Sequence, residues 1–355
     1  IPFIIYSLLL GVNITQIVRS TAAYINALLI FSIIMKLSYD DLAKIVKVLK
    51  FSILLMFFVG LIQFYFPQLN EYIKIIIPRA VSILETGSVR GVSSLSSEPG
   101  RHALELIILF CSYSYISRVN TIKTLFVNMI LIFYVLYVNR SLTGFTILCI
   151  YLSCLVYSLG IKNLIYIILF SFVLFIFINV DTLSIRISNT LTNLQNENLT
   201  IFSFLVDYYK QSGFRGASVA NSYFNISLFG GGIGNWEKTS LLGFQEKPFL
   251  YEGLKYFERC CNGNAAGIRP TSFTAGALNE VGLIGLIFIS LFLFYMYRNK
   301  TETGKSDNIF PKRKLIFLIP IIFTLLFNGP IGSPIPFIAL AIILRSHQLS
   351  KKKYV

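Results

Sequence analysis

The stretch GLIGLIFISLFLFYMY, Gly282 to Tyr297, runs sixteen residues without a charge. It belongs to an apolar run over 274–297, close to the roughly 20 residues a helix needs to cross a bilayer. KNLIYIILFSFVLFIFINV, Lys162 to Val180, reads the same way behind its single lysine. A helix on a soluble core would show an amphipathic stripe, and these runs show none. The whole chain agrees: 55% of its 355 residues are hydrophobic, 13% are charged, and the mean hydropathy is +0.70. A soluble domain carries about 25% charged residues. The fold class expected is therefore all-α, a polytopic transmembrane helical bundle forming one domain over residues 1–355.

Ten apolar runs fit this reading, at about 2–18, 21–36, 51–66, 102–117, 125–138, 145–160, 163–180, 274–297, 315–328 and 335–345. The chain begins inside an apolar run without an initiator Met, so preceding residues are expected to be missing. Positive residues favour the cytoplasmic side of short loops. That rule assigns loops at about 37–50, 118–124 and 298–314, together with the tail 346–355, to the cytoplasm. Extracytoplasmic loops then fall at about 67–101 and 181–273, the second long enough to hold helices of its own. Within it, Thr200 to Phe214 reads as an amphipathic helix along the membrane surface.

The basic residues differ between the two faces. Seventeen of the 31 fall on the cytoplasmic side, and thirteen of those are Lys. Of the fourteen on the outer side nine are Arg: Arg19, Arg79, Arg90, Arg101, Arg140, Arg186, Arg215, Arg259 and Arg269. Arginine offers a planar fork suited to phosphate. The outer arginines are thus candidates for an anionic ligand or for pairing with acids of their own loops. The net charge of +15 is split across the membrane, which argues against nucleic acid as a partner. Cys111, Cys149 and Cys154 read as apolar filler inside helices. Cys260 and Cys261 are expected to be unpaired thiols, the alternative being a strained vicinal disulfide, and no Cys/His spacing suggests a metal.

Three stretches carry candidate chemistry. In RGVSSLSSEPGRHALELIILF, Arg90 to Phe110, Pro99 suits the first position of a helix with Ser97 or Glu98 as its cap. Glu98, Arg101, His102 and Glu105 then share a helical face. Glu98 or His102 can accept a proton, and Arg90 and Arg101 can hold phosphate; the alternative is a cap whose charges neutralise one another. Glu105 lies inside the apolar run, where a carboxylate needs a partner or a wet cavity. In the second stretch, FRGASVANSYF (Phe214 to Phe224) is followed by GGGIGNW (Gly230 to Trp236). It permits tight turns but is neither a dinucleotide nor a P-loop motif. Trp236 suits either a membrane interface or a sugar ring. In the third, RPTSFTAGALNEVGLIG (Arg269 to Gly285), Asn279 and Glu280 fall within a helix, and Glu280 calls for a partner that Arg269 or Arg101 can supply. Ala275, Gly276 and Ala277 allow close helix packing.

Together these motifs resemble the Wzy-type O-antigen and capsular polysaccharide polymerases, within a superfamily that includes the O-antigen ligases. The shared pattern is a first outer loop of the type R-G-x-S-S-x-x-S-E-P-x-R, a long outer loop containing G-G-G-I-G-N-W, and the helix S-F-T-A-G-A-L-N-E-V-G-L-I-G-L. The resemblance implies a bundle of GT-C-like architecture in the bacterial inner membrane with a site facing the periplasm. It implies joining of undecaprenyl-pyrophosphate-linked oligosaccharides, as donor and acceptor, with no cofactor and no metal. A chain-length regulator protein is a further implied partner, besides membrane lipid. The family's arginines correspond to Arg90, Arg101, Arg215 and Arg269 as pyrophosphate ligands, with Glu98 or His102 as the catalytic base. Glu105, Asn279, Glu280 and Trp236 then serve as supporting residues. Ligases are expected to carry a histidine in the large loop, and 181–273 has none. The alternatives are a ligase or, outside enzymes, a flippase for lipid-linked oligosaccharides.

Overall fold

The computed structural model describes residues 2–78, 91–116, 121–159, 213–236, 238–240, 269–298, 315–329 and 331–351. All regular structure among them is helical. The helices are α1 (Pro2–Leu9), α2 (Ile14–Met35), α3 (Tyr39–Tyr65), α4 (Asn70–Ile76), α5 (Pro99–Ile116), α6 (Thr121–Phe133), α7 (Leu142–Leu159), α8 (Gly213–Phe224), α9 (Phe273–Arg298), α10 (Leu318–Phe327) and α11 (Ile335–Lys351). Of these, α2, α3 and α9 are long and apolar enough to cross a membrane, and shorter apolar helices cover 126–139, 143–155, 315–327 and 335–349. Large apolar side chains stand exposed along the three long helices, among them Leu29, Phe51, Phe58, Phe288 and Phe294. Faces of that kind suit contact with lipid rather than water. The chain is thus an all-helical protein with the apolar helices of a membrane protein. The runs at 163–180 and 200–214 lie wholly or almost wholly outside the described residues.

Two boundaries differ from the hydropathy reading. The first turn falls at residues 10–13, not at 19–20. Gly11 takes a φ of +69° there, and the Asn13 side chain accepts the Thr15 amide at 2.9 Å to start α2. The segment 37–50, expected as a loop, is mostly the first turns of α3. Ser38 caps that helix by accepting the Asp41 amide, and Asp40 and Asp41 sit in the first turn, where carboxylates favour the positive end of the helix dipole. Hydropathy registers the charges of Asp40 to Lys50 but not the cap that makes them helical.

The chain divides into two compact units. One comprises Ile1–Ile33, Thr190–Asn299 and Phe323–Phe337; the other comprises Ile34–Asn189, Lys300–Ile322 and Ile338–Val355. In the first, α8 packs on α9. Phe273 sets its ring edge-on to Tyr24 and Phe337, with centroids 5.9 and 4.7 Å away. Gly276 leaves room for Ile331, whose Cδ1 would lie 2.3 Å from an added Cβ, so the small residues of this stretch do permit close packing. In the second unit α5 is buried against α3 and α7. Gly144 admits Ala103 at the crossing, and Tyr151 packs against Phe110 and Phe317.

Candidate functional site

In the second unit the mouth of α5 is built on a clamp. The Glu98 carbonyl accepts the His102 amide at 2.9 Å, which makes Glu98 the cap residue, and Pro99 occupies the first helical position as its fixed φ favours. The preceding segment 91–98 is tied down by two amide side chains. Gln63 accepts the Ser94 amide at 2.6 Å and donates to the Ser94 carbonyl and to Asn70. Asn139 donates to the carbonyls of Val92 and Pro99. Ser94 has a φ of +49°, a strained conformation that these bonds hold in place. Asn139 closes a π-helical turn, Tyr134–Asn139, after which Arg140 takes a left-handed conformation. The Arg140 guanidinium lies over Phe64 and Tyr137, 5.7 and 5.5 Å from the ring centres.

On this frame Arg101 donates through Nε to Glu105 Oε1 at 2.8 Å, and the Ser96 hydroxyl donates to Glu105 Oε2. The Glu105 side chain is 7% exposed and that of Arg101 39%. The carboxylate within the apolar run thus has the partner its position requires. The terminal nitrogens of Arg101 make no hydrogen bond to the described residues. His102 departs from the expected shared face. It is fully buried, with Nε2 2.7 Å from the Tyr134 hydroxyl, while its Nδ1 has no partner among the described residues. One residue of helix turns the side chain by about 100°, enough to take it from the Arg101–Glu105 edge to the core. Glu98 is half-buried at the cap.

The first unit holds a second ion pair. Arg269 Nε and Nη2 lie 3.1 and 3.0 Å from Glu280 Oε1, and Nη2 also donates to Ser20 at 3.0 Å. Of the two arginines the sequence offered to Glu280, the structure uses Arg269. Glu280 is fully buried and the Arg269 side chain 29% exposed. Two residues on, α9 is interrupted: Gly282 has φ 67° and ψ −169°, which only glycine adopts readily. The segment Ser227–Gly232 fills the break. Gly231 and Gly232 donate to the carbonyls of Asn279 and Glu280, and Leu283 and Ile284 donate to the carbonyls of Ser227 and Leu228. Every bond runs between a loop and a helix end, as non-helical backbone inside an apolar layer requires. The glycines of GGGIGNW are needed for closeness, since a Cβ on Gly230 would lie 2.5 Å from the Gly282 nitrogen. Asn279 accepts the Thr239 hydroxyl, and Asn235 donates to the Gly231 carbonyl. Trp236 is half-buried.

The two ion pairs share a design. In each, an arginine is gripped along its Nε edge by a buried carboxylate, a serine hydroxyl joins them, and the arginine side chain stays partly exposed. Arg90, Arg79, Arg186, Arg259, Cys260 and Cys261 lie outside the described residues, and Arg215 falls in the first turn of α8. Ser96, Ser20, Tyr24 and Tyr134 were not singled out from sequence. Ser20 and Tyr24 left one signal, a pair of hydroxyls four residues apart inside an apolar helix.

The chain stands without a match. No protein-family model, no curated protein and no solved structure is similar to it.

Proposed function

We propose that this protein is a membrane glycosyltransferase that polymerises undecaprenyl-pyrophosphate-linked oligosaccharide repeat units into O-antigen or capsular polysaccharide, at the periplasmic face of the inner membrane. One observation carries the reading. Arg101 and Arg269 are each anchored on one edge by a buried carboxylate, and their side chains stay partly exposed. Anchoring removes rotamer freedom, so the remaining N–H groups meet an anion without paying to order the side chain. A pyrophosphate leaving group develops negative charge as its sugar bond breaks, and preorganised donors stabilise that charge. Apolar helices suit the polyprenyl carriers of donor and acceptor. Arg90 and Arg215 are further ligands on this reading.

A second reading, a flippase for the same lipid-linked oligosaccharide, draws on the break in α9. Interrupted helices with loop backbone at the break are a device of secondary transporters. Against it, four hydrogen bonds to Ser227–Gly232 already occupy the Asn279 and Glu280 carbonyls and the Leu283 and Ile284 amides at the break. The test is in cells that lack the native gene. Arg101→Lys and Arg269→Lys proteins, present in the membrane at wild-type levels, are expected to leave glycans of one repeat unit. Full-length polymer from both variants contradicts the assignment.

A further inference from the structure

The segment that fills the break in α9 is pinned through its backbone. Ser227 and Leu228 accept the Leu283 and Ile284 amides, and the Gly230 amide donates to the Ser227 hydroxyl at 2.9 Å. At the tip of this loop Ile226, Leu228 and Phe229 are 54%, 60% and 58% exposed. Turns that meet water are built mainly from Gly, Pro, Asn, Asp and Ser, and residues 216–236 carry no charge. The apolar exposure continues onto both neighbours of the loop. The turn between α1 and α2 packs against it, since an added Gly232 Cβ would lie 3.2 Å from Leu10 Cδ1, and Leu9 and Ile14 stand exposed there. On α9, Leu283 and Ile287 lead into the exposed apolar face that carries Phe288 and Phe294. That face already suits lipid, so the loop extends a lipid-facing surface and is not an isolated patch. Length sets its depth. Residues 283–298 are sixteen residues of helix, about 24 Å, against a hydrocarbon core of about 30 Å. With Arg298 at one boundary of that core, the loop stands close to the other.

We propose that Ile226, Leu228 and Phe229 form an apolar wedge that inserts among the acyl chains of the leaflet opposite Arg298, with the lipid surface as its partner. Irregular backbone is excluded from deep hydrocarbon unless protein covers it. At the boundary the three side chains meet acyl chains while the loop backbone stays level with headgroups and water. The sequence reading puts all of 181–273 outside the membrane, and the wedge returns this part of it to the bilayer. The surface does not depend on the reaction the protein performs. It bears on the candidate site all the same, because Gly232 donates to the Glu280 carbonyl. A wedge held in the leaflet fixes the depth of Glu280, and with it that of Arg269, which Glu280 grips.

The first arm of the test uses the wild-type protein in phosphatidylcholine vesicles. A carbene precursor is carried on the acyl chains in one sample and on a water-soluble reagent in the other, and labelled peptides are located by mass spectrometry. The ratio of acyl to aqueous labelling at 226–229 is expected to match that at 283–297, not that of the charged first turns of α3. A ratio matching α3 places the loop in water and overturns the wedge. Labelling by neither reagent, with 283–297 labelled from the lipid, shows that another part of the chain or a second copy covers the loop, and overturns it too. The second arm moves the single tryptophan. Trp236→Phe combined with Phe229→Trp leaves one fluorophore, at the tip of the wedge. Bromine on the acyl chains is expected to cost more of its emission than acrylamide in the water does. A stronger loss to acrylamide contradicts insertion. Ile226→Trp in the same Trp236→Phe background repeats the reading from a second position, with the same two outcomes.

Discussion

Arg101 and Glu105 stand one turn apart on α5, joined Nε to Oε1 at 2.8 Å, with the carboxylate buried and the guanidinium partly exposed. The pair therefore has two separable duties: neutralising a buried charge and presenting donors outward. Arg101→Ala is expected to cost about 3–5 kcal/mol by leaving Glu105 uncompensated. Adding Glu105→Gln is expected to return most of that stability while polymer formation stays lost. Thermal unfolding in detergent, run beside polymer analysis, reads both. A single variant within about 1 kcal/mol of wild type would show the pair to be a surface contact.

The break in α9 is expected to be intolerant of a single methyl group. At Gly282 a Cβ would sit 2.4 Å from the Gly230 nitrogen and 2.5 Å from the Leu228 carbonyl oxygen, on a φ of +67°. Gly282→Ala should cost about 1–3 kcal/mol in backbone strain alone, and Gly230→Ala should act alike. Hydrogen exchange at the Leu283 and Ile284 amides locates the effect, because both donate into the loop. Unchanged protection there in Gly282→Ala would mean the loop does not hold the break.

Gln63 is expected to control the order of the segment before α5. Its side chain meets both the amide and the carbonyl of Ser94 as well as Asn70, and Gln63→Leu removes this partner from the Ser94 amide and carbonyl and takes one bond from Asn70. A loss of about 1–3 kcal/mol per buried group is the expected scale. Exchange of amides 92–96 should rise well before that of α5 itself. Equal protection in both proteins would assign the restraint to Asn139.

The packing of His102 gives a different expectation. Tyr134→Phe removes the one partner of Nε2 among the described residues, 2.7 Å away, and leaves a fully buried imidazole with both nitrogens unbonded among them. A stability loss of about 1–3 kcal/mol follows. Gly60→Ala should act on the same contact, since its Cβ would fall 1.7 Å from the Tyr134 hydroxyl oxygen. If both variants melt as wild type does, the His102–Tyr134 bond contributes nothing to the fold.

What could be read in the sequence was whatever depends on near neighbours. Pro99 and Glu98 mark the start of α5 because capping is local, and the depth of Glu105 and Glu280 in apolar runs demanded partners that the structure supplies. What was hidden depends on contacts distant in sequence. The choice of Arg269 for Glu280 is shared with Ser20, 249 residues from Arg269 along the chain. The break at Gly282 is invisible to hydropathy, because a glycine within an apolar run leaves the average almost unchanged. Asn139 shows why a polar residue near a helix end is ambiguous: its role as a bridge to Val92 and Pro99 appears only once α5 is packed. His102 was misplaced for a simpler reason. Residues three and four apart share a face loosely, and a difference of one position separates an ion pair at the rim from a core hydrogen bond.

The central claim is that this protein joins lipid-linked repeat units to one another. Its most direct measurement incubates the purified wild-type protein with undecaprenyl-pyrophosphate-linked repeat units alone and separates the products by size. A ladder stepped by one repeat unit is the expected result. Transfer confined to an added lipid A core, or movement across a bilayer without any new glycosidic bond, would contradict it.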